Sequence, residues 1–307
     1  MRILFMGTPD FAEKSLRALK SANHEIIGVY TQPDKPKGRK GILTPSPVKE
    51  TAIELGYPVF QPKTLKDAAE ALKIKELDPE VIVVVAYGKI LPLEILEIPK
   101  MGCINVHASL LPQYRGAAPI QRAIINGETK TGITTMYMSE GLDTGDMILK
   151  QEVSINENET FGELWERLSV IGAETLTETL KQIENGTAPR VGQPEEGTYA
   201  SMITPETERI DVNSSAESIH NLVRGLSPQP GAYLYKNDKK VKILKTALSD
   251  LAGKNTGEVT IKKNRLFFTA GDGRVLEILR IKEEGSKEMD ASAFINGRKI
   301  SEGDLFI

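Results

Sequence analysis

The sequence predicts an α/β protein in two parts: a Rossmann-like, doubly wound and mostly parallel sheet, followed by a small C-terminal OB-like β-barrel. Three observations carry this. Short β-branched or apolar runs alternate with helical patterns through the first half of the 307 residues, and such alternation implies βαβ units. Val81-Ile82-Val83-Val84-Val85 is unbroken by any polar residue, which is how a strand buried on both faces reads. Beyond Pro205 the pattern changes to closely spaced short strands separated by turn residues, as in small closed barrels.

Taken in order, residues 2–6 read as a first strand, 11–20 as a helix and 25–31 as a second strand. A helix over 68–76 precedes the Val/Ile run, and 103–107, 132–138 and 147–155 read as further strands. Thr160-Phe161-Gly162-Glu163 has capping-box spacing, so it opens a long amphipathic helix, stopped by Asn185-Gly186. Residues 188–205 are rich in Pro, Gly, Thr and Glu without periodicity. They read as a linker, dividing the chain into domains of 1–187 and 206–307. Ser214-Ser215-Ala216-Glu217 caps a short helix ending near Gly225, and about five strands follow at 232–235, 240–244, 258–262, 266–269 and 275–281.

Composition narrows the function classes. No apolar run is long enough to span a bilayer, and the apolar opening is too short for a signal peptide before it meets Thr8-Pro9-Asp10. No membrane partner is expected. A single cysteine, Cys103, excludes an intramolecular disulfide and a cysteine-based metal site, and suits a reducing cytoplasm. The net charge of −3 hides two basic clusters: Lys35, Lys37, Arg39, Lys40 and Lys49, then Lys236, Lys239, Lys240, Lys242 and Lys245. Either a solvated face or a polyanion site accounts for such runs.

The turn after the first strand, Gly7-Thr8-Pro9-Asp10-Phe11, lacks the glycine spacing of a dinucleotide site, and no phosphate-loop lysine motif is present. The informative stretch is Cys103-Ile104-Asn105-Val106-His107. Residues two apart on a strand share a face, so Asn105 and His107 project together. At the carboxyl end of a parallel strand they lie where open α/β sheets bind ligands. From the strand alone, a hydrogen-bonded core histidine is the commoner reading. Asp143, in Gly141-Leu142-Asp143-Thr144-Gly145-Asp146, is a plain turn residue or, beside His107, a carboxylate favouring the imidazolium. Ala86-Tyr87-Gly88 follows the Val/Ile run and sits at another strand end. Tyr114-Arg115-Gly116-Ala117-Ala118-Pro119 fits a structural corner as well as a site.

Together with Ser109-Leu110-Leu111-Pro112, and in this order and spacing, these segments resemble the methionyl-tRNA formyltransferase family. The resemblance runs over nearly the whole chain, and includes Gly7-Thr8-Pro9 and, in the second domain, Arg209-Ile210-Asp211 and Arg224-Gly225-Leu226. It departs at Val212 and Gln229, where the family often has tryptophan. The resemblance implies 10-formyltetrahydrofolate as cosubstrate, initiator methionyl-tRNA as partner and no metal. It further implies Asn105, His107 and Asp143 as catalytic residues. By the same resemblance, Ala86, Tyr87, Gly88, Ser109, Leu110, Leu111 and Pro112 line the folate pocket, and Lys35, Lys37, Arg39 and Lys40 meet the tRNA.

Overall fold

Parallel strands joined by covering helices account for the first part of the chain. The computed structural model describes residues 1–38 and 41–307, and these divide into two compact units. The first comprises Met1–Gly116, Thr131–Val153 and Trp165–Tyr199; the second comprises Ala117–Lys130, Ser154–Leu164 and Ala200–Ile307.

In the first unit the strands are β1 (Arg2–Gly7), β2 (Glu25–Tyr30), β3 (Val59–Phe60), β4 (Val81–Val85), β5 (Cys103–His107), β6 (Lys130–Tyr137) and β7 (Met147–Ser154). They form a seven-stranded sheet in the order β7-β6-β5-β4-β1-β2-β3. Pairing is parallel from β3 through β5 and antiparallel between β5 and β6, so the sheet is mixed. The unbroken apolar run of β4 is buried at every residue. On one face Leu4, Met6, Ile82, Val84 and Cys103 share a core with Ile74 of the helix Ala68–Leu77. The other face meets the long helix Phe161–Glu184, where a Cβ on Gly172 would stand 3.2 Å from Val106 and 3.5 Å from Ile133. The expected capping box forms at its start: Glu163 Oε2 accepts from the Thr160 N–H at 2.8 Å, and Thr160 Oγ1 from the Glu163 N–H at 3.3 Å.

Several short elements have no counterpart in the sequence reading, among them β3, the hairpin Lys35–Lys37 with Ile42–Thr44, and the helix Pro47–Glu54. The stretch 188–205 does not run free as a linker. Val191 bridges Met147, Gln193 bonds the loop after β6, and Thr198 accepts from the Arg115 N–H at 2.8 Å.

The second unit is β-rich. Strands β8 (Ala232–Lys236), β9 (Lys239–Ala252), β10 (Val259–Lys262), β11 (Arg265–Thr269), β12 (Arg274–Glu283) and β13 (Met289–Asp290) pair in the order β8-β9-β12-β11-β10, with β13 on β12. Strand β9 runs well beyond the expected 240–244; three register shifts interrupt its pairing with β12, each breaking the two-residue alternation that marks a strand. Residues 304–307 lie against both edge strands. Ile307 exchanges hydrogen bonds with Tyr235 at 2.8 and 3.0 Å, and Asp304 O accepts from the Val259 N–H at 2.8 Å. The helix Ala216–Leu226, capped by Ser215, packs Ile219, Val223 and Leu226 into this unit's core.

Candidate active site

Strand β5 is held on both sides, with Val84 of β4 opposite Asn105 and Thr134 of β6 opposite His107. The pleat therefore turns Cys103, Asn105 and His107 to one face and Ile104 and Val106 to the other. Asp143 arrives from the loop between β6 and β7. Its Oδ2 lies 3.6 Å from His107 Nδ1, and its Oδ1 accepts from Asn105 Nδ2 at 3.4 Å. The structure thus brings the three residues together. A third donor completes the set, since the Gly116 N–H donates to Asp143 Oδ2 at 2.8 Å.

The aspartate, not either flanking glycine, takes the unusual backbone of this loop. Neither Gly141 nor Gly145 takes a left-handed conformation; Asp143 itself does, with φ +53°, which Asp tolerates better than most residues. Gly145 is required for space instead, because a Cβ there would fall 1.8 Å from Tyr137 O.

Histidine chemistry is settled by a carbonyl. His107 is 5% exposed, and its Nε2 lies 2.9 Å from Tyr114 O. A carbonyl only accepts, so Nε2 carries the hydrogen and a further proton enters the ring at Nδ1, facing Asp143. The Tyr114 backbone takes φ +60°. Neither this carbonyl nor the Gly116 amide was legible as functional, since both are backbone groups of a segment that also reads as a corner.

Among the residues expected around a folate, exposure separates two groups. Ala86 and Gly88 are exposed, with φ +46° and +80°, and Leu110 and Pro112 are partly so. The side chains of Tyr87, Ser109 and Leu111 are buried and hold structure rather than offer surface. Burial pushes the Tyr87 hydroxyl well above the usual phenol range, while its carbonyl accepts from Thr8 Oγ1 at 2.9 Å and Gln32 Nε2 at 3.0 Å. Ser109 Oγ donates to Gln113 O at 2.6 Å. Thr134 Oγ1 donates to Ser109 O at 2.7 Å and accepts from the Leu111 N–H at 3.1 Å.

Of the basic stretch, Lys35 is exposed and Lys37 belongs to the same hairpin strand; Arg39 and Lys40 lie outside the described residues. Lys49 is spoken for by Asp34 at 2.7 Å. Hydrogen bonds from Gln61 and then Lys49 hold the Asp34 carboxyl below its usual range. In the second cluster, Lys236 pairs with Asp304 at 2.8 Å and Lys240 sits 3.6 Å above the Tyr233 ring. Among the described residues no group of three His, Cys, Asp or Glu is placed to hold a metal ion, and no helix is long and apolar enough to cross a membrane.

Comparison with known proteins assigns the chain to a family. A formyl transferase model matches residues 1–180, and a formyl transferase C-terminal domain model matches 202–299. A methionyl-tRNA formyltransferase of Clostridioides difficile is 54% identical over 306 residues, covering 99% of both chains. The chain belongs to the methionyl-tRNA formyltransferase family. Another of this family, from Thermodesulfovibrio yellowstonii, is 51% identical, covering 98% of this chain and 97% of its own. The fold is shared more widely: an N-formyltransferase from Helicobacter canadensis, solved with folinic acid and dTDP-3-aminofucose, superposes with TM-score 0.67 at 18% identity. That match covers 91% of this chain and 98% of the other.

Proposed function

We propose that this chain transfers the formyl group of 10-formyltetrahydrofolate to the α-amine of initiator methionyl-tRNA, by direct amine attack without a covalent enzyme intermediate. The observation that carries the reading is the meeting of Asn105, His107 and Asp143 at the carboxyl end of β5, in a chain of this family. The donor set suits a formyl group, offering an amide N–H, a ring nitrogen that can hold a proton, and a carboxylate. None of the three is a hydroxyl or a thiol. The thiol on the same face, Cys103, is pushed up to about 12 by burial and is no nucleophile at neutral pH.

When bound, the folate supplies an activated formyl carbon with a nitrogen leaving group. The chain's own residues supply the rest. Asn105 donates an amide hydrogen to the oxygen where negative charge develops. His107 holds a proton at Nδ1 beside that oxygen and delivers it to the departing nitrogen. Asp143 keeps the imidazole in place and accepts the amine proton, directly or through water. Ala86, Gly88, Leu110 and Pro112 offer the surface against which the folate packs, over the buried Tyr87, Ser109 and Leu111.

The tRNA falls to Lys35, Lys37, Arg39 and Lys40 at its acceptor end, and to the second unit along its backbone. Supporting an OB-like barrel there is the way residues 304–307 bond to both β8 and β10, across the gap that closure must bridge. An activity on charged tRNA supports a cytoplasmic location.

The test incubates the protein with formyl-labelled 10-formyltetrahydrofolate, charged initiator tRNA and an amino sugar. Label on the methionyl amine is expected; label on the small amine alone would overturn the assignment. Binding of tRNA should weaken steeply with salt, with a shallower slope when the hairpin lysines are removed.

A further inference from the structure

Asp143 sits on a loop in left-handed backbone, so something must hold its carboxylate against His107. Gly116 fixes one oxygen. The backbone of the loop is gripped by a residue from the stretch read as a linker. Gln193 Nε2 donates to Asp143 O and to Gly145 O, each at 2.8 Å. Its Oε1 accepts from Arg115 Nε at 3.1 Å and Nη2 at 2.9 Å. The amide can stand only this way round: flipped, its oxygen would face two carbonyls and its NH2 a guanidinium. Arg115 is 3% exposed and donates also to Pro194 O at 3.0 Å, so the anchor is itself buried. Gln193 is half-buried between exposed Gly192 and Pro194. Arg115 also neighbours Tyr114 and Gly116, the residues that fix His107 and Asp143.

We infer that Gln193 is a positioning residue for formyl transfer, clamping the Asp143 loop to the Arg115 corner so that carboxylate and imidazole stay in register. This rests on the reading that Asp143 serves the reaction. Gln193 itself touches neither reacting group, so its removal should lower kcat and leave both KM values within about twofold. A misplacement of order 1 Å at a reacting group costs up to about 100-fold, and a drop of roughly 10- to 100-fold in kcat is expected for Gln193→Ala.

Gln193→Glu separates positioning from simple stabilisation. A carboxylate keeps and strengthens the bond to Arg115 but sets oxygen against two carbonyls. Keeping the Arg115 bond that alanine loses, that variant should unfold at a higher temperature than Gln193→Ala while losing kcat to the same extent. Wild-type kcat in Gln193→Glu overturns the inference. In an Asp143→Ala background, adding Gln193→Ala should cost less than about twofold further; a full multiplicative loss would show that Gln193 acts independently of Asp143 and overturns it too. If Asp143→Ala alone retains near-full turnover, the reading of Asp143 fails and takes this inference with it. A dead Asp143→Ala beside a fully active Gln193→Ala sinks the inference alone.

Discussion

The site has a strand half and a loop half, and they are secured in different ways. Asn105 and His107 ride on β5, hydrogen-bonded to β4 and β6, and their common face follows from the pleat. Asp143 rides on a loop whose shape depends on a left-handed backbone, the Gly116 amide and a side chain fifty residues further on. The strand half tolerates little error of position because the sheet allows none. The loop half is adjustable, so its geometry must be imposed from outside. Changes in the two halves should therefore differ in kind as well as in size.

The largest effects belong to the strand half. Asn105→Ala should lower kcat by about 10²–10³, or about 2.7–4 kcal/mol, with folding intact by circular dichroism; near-full turnover would break the comparison. In the loop half, Gly145→Ala forces a Cβ onto the Tyr137 carbonyl oxygen, and the loop must shift to relieve it. A kcat loss of up to about 100-fold is expected. Gly141→Ala meets instead the side-chain oxygen of Thr144, which can rotate, and should cost visibly less. Equal losses at the two glycines would show that the loop position does not matter.

Thr134→Val tests the support beneath Ser109 and Leu111. It leaves the buried Leu111 N–H without its acceptor, and should cost about 1–3 kcal/mol in urea unfolding. The smallest effect lies outside the site. Burial first, and the Arg224 charge second, lower the pKa of His220, which bonds Thr246 Oγ1 at 2.9 Å. A lowered folded value means that the unfolded histidine binds the proton more readily. This stabilising contribution is present above the ordinary histidine pKa and declines as pH falls through it. His220→Gln should flatten the decline in melting temperature between about pH 7.5 and 5.5.

Much of the frame was legible because periodicity is a local property. The Val/Ile run, the alternation through Asn105 and His107, and the Thr160–Glu163 cap each depend on residues a few places apart. Strand β3, two residues long, has no room for a period to develop. Strand β9 lost its signal at its bulges. The reading of 188–205 as a linker went astray for a related reason. Gln193 bonds Asp143 and Arg115 across 50 and 78 residues, and Pro and Gly content says nothing of such partners.

The amino-acid sequence alone establishes that Asn105 and His107 share a strand face, that Asp143 stands between two glycines in the chain, and that a lone cysteine forms no intramolecular disulfide. Tertiary structure decided that His107 keeps its hydrogen on Nε2, that Asp143 and not its glycines takes the strained backbone, and that Gln193 holds the loop. The physical reason is that a strand's facing is set by bonds between neighbouring residues. A proton's place on an imidazole depends on which acceptor the completed fold sets opposite it.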